Sequence, residues 1–293
     1  MGVGSEGMGI GVEPSPRPQH REGAVPVPVV LVHGLRTSRT MWRAQVEALE
    51  RSGHRALAVD LPGHGTRRAE PFTLAGADET LVRAVDEVGG RALVVGLSLG
   101  GYVAIAHAAR HPEQVLGLVA ASCCTRPWRP VVDGWALGAW LIDRLPDHGA
   151  RLNQVLVDRM LPAAGAIDSG AGGFALEVMG DVLRQMRAAR PVDDLARVTA
   201  PVWLVNGRFD HFRGEERTFL RACRRGQLVV IPGATHLVSL VRPTRFTRVL
   251  LEAAAELDAV ETGQTPSDQA RTPPTMPAWL GTTTTSSPSR SRT

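Results

Sequence analysis

Six short apolar runs constrain this chain more than any other feature. They occupy residues 27–32, 55–59, 92–96, 115–121, 201–205 and 227–231, each five to seven residues long and rich in Val, Leu and Ala. Runs this short and this continuously apolar suit strands covered on both faces, as in a parallel sheet. Segments with helical periodicity follow most of them, near 41–51, 74–88, 99–110, 214–224 and 243–258. Such repeated alternation with short crossovers predicts an α/β chain with a mainly parallel, doubly wound central sheet and helices on both faces. The rhythm fails once, between about Thr125 and Asp194, where helical sequence runs too long for a simple crossover. The chain's 293 residues are enough to bury one large core.

The third run leads directly into candidate chemistry. Ala92 to Gly96 continues as Leu97-Ser98-Leu99-Gly100-Gly101, so Ser98 sits in a G-x-S-x-G frame ahead of an alanine-rich helical stretch. A serine at a strained strand-to-helix bend leaves little room for side chains two positions away, which accounts for glycine at 96 and 100. The N–H groups that open the following helix point towards negative charge developing beside the serine. In a chain with 31 glycines the frame taken alone also fits a glycine-rich loop at a strand end.

Serine is a weak nucleophile until a base takes its proton. The last two runs end in Asn206-Gly207-Arg208-Phe209-Asp210 and Pro232-Gly233-Ala234-Thr235-His236, which puts a carboxylate and an imidazole at the sheet edge where Ser98 emerges. The chain order Ser98, Asp210, His236 is nucleophile, acid, base. His211, on the acid's own loop, is a rival base, and His236 before Leu237 and Val238 also fits a buried structural histidine. Two backbone donors are needed for an oxyanion, and Leu99 N–H, directly after the nucleophile, is one. The loop His33-Gly34-Leu35 after the first run offers Leu35 N–H as the other, with His33 read as a loop organiser through its two ring nitrogens.

Val29 to Trp42, the stretch Ala56 to Gly65, the Ser98 bend and the Asp210 and His236 loops together resemble the α/β-hydrolase fold superfamily, over roughly residues 25 to 258. The resembling branch holds single-domain esterases, lactonases, proline-iminopeptidase-like enzymes and carbon–carbon bond hydrolases. The resemblance implies a helical cap inserted after the sixth strand, with residues 25–124 and 195–260 as core and 125–194 as cap. It implies structural roles for Asp60 and His64. Ser98 stands where epoxide hydrolases and haloalkane dehalogenases carry an aspartate, which makes those chemistries unsuitable here. No cofactor is expected, and the nine histidines show no H-E-x-x-H or comparable metal-ligand spacing.

The insertion carries Trp128, Trp135 and Trp140, then Leu145, Leu156, Met160, Met179 and Leu183. Most of these serve helix packing; Trp128, Trp135 and Met179 are expected to face the cleft. Arg36, next to the oxyanion loop, joins that pocket if it turns inward, where it would hold a carboxylate or enolate oxygen. A lid of Trp, Leu and Met suits a small to medium-sized apolar substrate. The expected activity is hydrolysis of a carboxylic ester or lactone through an acyl-enzyme. A carbon–carbon bond hydrolase, thioesterase or cyclase of secondary metabolism on the same residues is the alternative, and a non-catalytic small-molecule binding protein of the same fold is the third reading.

Composition narrows the partners. The formal charge of +4 rests entirely on arginine, because the chain has no lysine, and it is scattered with no basic stripe among aromatics, so no nucleic acid is expected. No apolar segment reaches 18 residues, so no membrane is expected either, and the chain reads as a cytoplasmic monomer or homodimer acting on a small molecule. Cys123, Cys124 and Cys223 form no disulfide framework and read as reduced thiols, the adjacent pair packed beside the site. Residues 1–24 and 261–293, rich in Gly, Pro, Ser and Thr, read as disordered tails.

Overall fold

The computed structural model describes residues 26–263; the tail expected at 1–24 and residues 264–293 of the second tail lie outside the described residues. Six strands run β1 (Val29–Val32), β2 (Ala56–Val59), β3 (Ala92–Leu97), β4 (Val115–Ala121), β5 (Val202–Gly207) and β6 (Gly226–Ile231). They form one sheet in the order β2-β1-β3-β4-β5-β6, with every neighbouring pair parallel. The helices of the sheet layers are α1 (Arg43–Arg51), α2 (Leu74–Val88) and α3 (Leu99–Arg110) before the insertion. The insertion holds α4 (Arg129–Asp143), α5 (Ala150–Met160), α6 (Ala163–Gly170) and α7 (Met179–Met186). After it come α8 (Pro191–Arg197), α9 (Glu216–Ala222), α10 (Val238–Val241) and α11 (Pro243–Glu261).

The two-residue period of a strand sorts the apolar runs onto two faces. Val30, Val32, Val94, Leu118 and Leu204 point to one side and pack with Leu81 and Val85 of α2, Ile105 of α3 and Phe219 of α9. Val29, Leu31, Leu93, Val95, Val119 and Val205 point to the other, against Leu49 of α1 and Phe246, Leu250 and Leu257 of α11. Burying a Val or Leu side chain in this way contributes roughly 1.5–3 kcal/mol before conformational entropy is counted. Helix ends follow local chemistry: Thr73 caps α2 by accepting the Gly76 N–H, and Gly89 closes it at φ 123°.

From β1 the chain steps to β2 on one side, then returns to β3 on the other. That reversal opens a crevice above the carboxyl ends of β1 and β3, where an open parallel sheet places its ligands. The insertion leaves the sheet after β4 and is tied back over this edge. Arg43 reaches Asp168 Oδ1 (Nε at 2.6 Å), Thr40 Oγ1 donates to the Asp168 carbonyl at 2.7 Å, and Arg68 Nη2 pairs with Glu177 Oε2 at 2.9 Å. Helix α8 packs on α3 and α9, so the chain has rejoined the sheet layers by then. Among the described residues no helix is long and apolar enough to cross a membrane.

One ion cluster binds α2 to α3 away from the crevice. Asp78 Oδ1 takes His107 Nδ1 and Arg110 Nη2, each at 3.1 Å, while Oδ2 takes His111 Nε2 at 3.2 Å. Desolvation acts to raise the Asp78 pKa, but the bond from His107, the charge of Arg110 and the bond from His111 bring it down from 3.8 to about 2. A folded-state pKa below the unfolded one means that the stabilisation is present above about pH 4 and is lost as pH falls towards 2. Asp78→Asn is therefore expected to cost about 2 kcal/mol at neutral pH, with the gap to wild type narrowing below pH 4. Urea unfolding of both proteins at pH 7, 4 and 3 measures this; a gap independent of pH would rule the linkage out.

Candidate active site

The bend between β3 and α3 has the strain that its sequence frame demands. Ser98 sits at φ 55° and ψ −115°, a positive-φ conformation that L residues adopt at a cost. A Cβ on Gly96 would stand 2.2 Å from the Gly100 carbonyl oxygen, and one on Gly100 would stand 2.3 Å from the Val32 carbonyl oxygen. Neither position accepts any side chain without moving backbone. The bend is held by Ser98 N–H donating to Ala121 O at 2.8 Å and by Tyr102 N–H donating to Ser98 O at 3.2 Å.

Loops from β5 and β6 converge on the serine. Arg208 N–H donates to Ile231 O at 3.0 Å and Phe209 N–H to Ala234 O at 2.9 Å, which ties the Asp210 loop to the His236 loop. His236 Nδ1 lies 3.0 Å from Asp210 Oδ1, and His236 Nε2 lies 3.0 Å from Ser98 Oγ. With Nδ1–H donating to the carboxylate, Nε2 is left free to accept the serine proton. The arrangement can move a proton from a hydroxyl to an imidazole oriented by a buried anion.

Asp210 is buried and caps the turn that follows it by accepting Phe212 N–H at 2.8 Å. Desolvation pushes its pKa up; the hydrogen bond and charge of His236, the Phe212 N–H and the Ser122 hydroxyl outweigh this and hold it below the ordinary carboxylate value. Ser122 belongs to no motif that the sequence displays. It follows β4 with φ 54°, fully buried, and its hydroxyl faces the carboxylate without forming a hydrogen bond of good geometry. A serine directly after a strand that pairs with β3 is the one signal that could have found it, since Leu97 and Ala121 are register partners.

The oxyanion candidates lie on either side of Ser98. Gly34 stands so close that a Cβ there would be 3.6 Å from Ser98 Cβ, which brings the Leu35 turn against the serine. The N–H of Leu99 opens α3, where no preceding turn of helix supplies a carbonyl, so it is free to meet a negative oxygen. His33 spans the loop: Nδ1–H donates to Gly34 O at 2.8 Å and Nε2 accepts Leu61 N–H at 3.0 Å. Those bonds require the neutral ring, and burial together with the nearby His64 lowers its pKa to about 3. Asp60 takes Arg39 N–H at 2.8 Å and Thr66 N–H at 3.0 Å, and His64 Nδ1 meets Pro62 O at 3.0 Å, so both hold loops.

The remaining sequence candidates divide. Arg36 and Met179 border a cavity of about 350 Å³ between the inserted helices and the β1 loop. Trp135 stacks on Phe212 with ring centroids 4.9 Å apart, and Phe212 lies 4.7 Å from the His236 ring, so Trp135 roofs the imidazole through one intervening ring. Trp128 lies at the start of the insertion. It precedes α4 in extended backbone, is 55% exposed, and carries the Arg126 guanidinium 4.9 Å over its ring. His211 is exposed, with Nδ1 3.9 Å from Asp210 Oδ1, and does not bridge to the serine. Cys123 and Cys124 are buried; burial drives both thiols up, Cys124 to about 12, which leaves no thiolate nucleophile.

Residues 29–249 match the sequence profile of the alpha/beta hydrolase family. This chain belongs to that family. As an alpha/beta hydrolase it is 28% identical over 266 residues to the pimeloyl-[acyl-carrier protein] methyl ester esterase of Edwardsiella ictaluri, an alignment covering 80% of this chain and 96% of that one. In three dimensions this hydrolase-family chain is similar to a thermophilic esterase from Thermogutta terrifontis, with TM-score 0.67 and 26% identity over 80% of this chain and 92% of the other. It shares its fold with the enol-lactonase of Burkholderia xenovorans, with TM-score 0.59 and 24% identity over 80% and 92% of the two chains.

Proposed function

We propose that this chain is a serine hydrolase that cleaves a carboxylic ester or lactone of a small to medium-sized substrate through an acyl-enzyme. The observation that carries the reading is the unbroken line from Asp210 Oδ1 through both nitrogens of His236 to Ser98 Oγ, with each step 3.0 Å. In the first half, Ser98 Oγ attacks the carbonyl carbon while His236 Nε2 takes its proton, and the tetrahedral oxyanion is held by the N–H groups of Leu35 and Leu99. Collapse expels the alkoxide, which leaves with the proton from His236. Water then attacks the acyl-enzyme by the same route and frees Ser98. Asp210 holds the imidazole in the tautomer that both halves need. Residues 125–194 serve as the cap, with Trp135, Met179 and Arg36 towards the substrate. The likeness to a methyl ester esterase and to a thermophilic esterase supports ester cleavage over other chemistry on the fold.

Incubation with a small fluorophosphonate, read by intact mass and peptide mapping, tests this. One adduct is expected, on Ser98, and none on Ser98→Ala or His236→Ala. An adduct elsewhere, or a folded wild-type protein that takes none, would overturn the assignment.

A further inference from the structure

Arg36 directly follows the proposed oxyanion donor Leu35, and its backbone is left-handed at φ 68°, where glycine would be relaxed and arginine is not. The strained turn is pinned from the insertion, because Ala175 N–H donates to the Arg36 carbonyl at 3.0 Å. The side chain borders the cavity of about 350 Å³, whose apolar walls include Trp140, Leu152, Leu156, Met179 and Leu183. The other charged groups around that cavity already have partners. Asp143 pairs with His148 at 3.0 Å, Glu177 with Arg68 at 2.9 Å, Arg187 with Asp133, and Arg184 with Asp181.

Among the described residues the Arg36 guanidinium has no carboxylate or carbonyl on it; burial is what acts on it, lowering its pKa from the usual arginine value. A guanidinium stays protonated even so. Arg36 is half-buried, and a cation partly withdrawn from water without a counter-charge is costly to keep; strained backbone persists where the surroundings hold it for a purpose.

We propose that Arg36 anchors a free carboxylate on the substrate, so that the substrate is an ester or lactone of a molecule carrying a second, unesterified carboxyl group. This rests on the serine-hydrolase reading above. The planar fork of the guanidinium matches both oxygens of a carboxylate. A single unpaired positive charge balances a carboxylate, whereas a phosphate monoester would leave a negative charge uncompensated among apolar walls. Trp140, Leu156 and Met179 then cover the hydrocarbon spacer. The anchor and the oxyanion donor are consecutive residues, with Cα atoms about 3.8 Å apart, so an ester held at the Leu35 N–H begins beside the Arg36 backbone.

The test compares the mono-p-nitrophenyl ester of adipic acid with p-nitrophenyl hexanoate, which differ in a terminal carboxylate against a methyl. Wild type is expected to favour the charged ester about 10- to 100-fold in kcat/KM, mostly through KM. Arg36→Met should bring that ratio to about 1 or below, and Arg36→Lys should retain part of it. Circular dichroism checks that each variant is folded; should Arg36→Met fail to fold, the wild-type ratio and the Lys variant decide. Equal hydrolysis of both esters by wild type would overturn the anchor and leave the hydrolase reading standing. Hydrolysis of neither would count against the hydrolase reading, and calorimetric titration of adipate would then judge Arg36 separately. Binding lost in Arg36→Met supports the anchor, and binding that is absent or unchanged overturns it.

Discussion

Asp210→Asn is expected to lower kcat by about 10,000-fold on any ester that the wild-type protein hydrolyses. The carboxylate is buried and accepts from both His236 Nδ1 at 3.0 Å and Phe212 N–H at 2.8 Å. Both donors meet the same oxygen, Oδ1, so an amide of the same shape can keep its own oxygen there and preserve the fold, but it carries no charge. The imidazolium that forms when His236 takes the Ser98 proton then has no buried anion beside it. KM should change little, since Asp210 does not meet the substrate in the proposed mechanism. Ser122→Ala is the graded companion: it removes one neighbour of the carboxylate and should cost about tenfold in kcat, equivalent to about 1.4 kcal/mol. Steady-state kinetics of both variants, beside melting temperatures close to wild type, would bear this out. An Asp210→Asn protein within tenfold of wild type would show that another group orients His236.

Gly100→Ala is expected to destabilise the protein by about 3 kcal/mol or more, or to prevent folding. The added methyl would stand 2.3 Å from the Val32 carbonyl oxygen and 2.6 Å from that of His33, so α3 and the end of β1 must separate. That separation also moves the Leu35 loop away from Ser98. Fluorophosphonate labelling of any folded fraction should therefore slow together with the loss of stability. Gly134→Ala is the contrast: this glycine lies within α4 and an added methyl meets nothing within 4 Å. Alanine there should be neutral or stabilise by up to about 1 kcal/mol through helix propensity. Urea unfolding of the two variants gives both numbers. A Gly100→Ala protein as stable as wild type would show that the bend relaxes more freely than its contacts allow.

Much of the architecture is legible in the sequence because it rests on local rules. The apolar runs form strands within a residue or two of their expected limits, and the helices at 74–88 and 99–110 fall on Leu74–Val88 and Leu99–Arg110. The run at 201–205 extends to Gly207, where pairing with β6 continues past the apolar residues. Sheet order is different in kind. Nothing in any single run says that β3 lies beside β1 with β2 on the far side, and that neighbourhood is what places the Leu35 loop against Ser98.

What the sequence by itself determined was the set of strands, the strained bend at Ser98, and the presence of an acid and a base in chain order at strand ends. Steric exclusion around a bend and two-residue periodicity act between near neighbours, so they leave a mark in local residue choice. Only the tertiary structure decided that Asp210 meets His236 and His236 meets Ser98, each across 3.0 Å. It also decided that Ser122 backs the carboxylate, that Trp128 is exposed with Arg126 over its ring, and that Arg36 is half-buried beside a cavity without a carboxylate on it. Each depends on contacts between segments far apart in the chain, where one residue's burial is fixed by the packing of all the others.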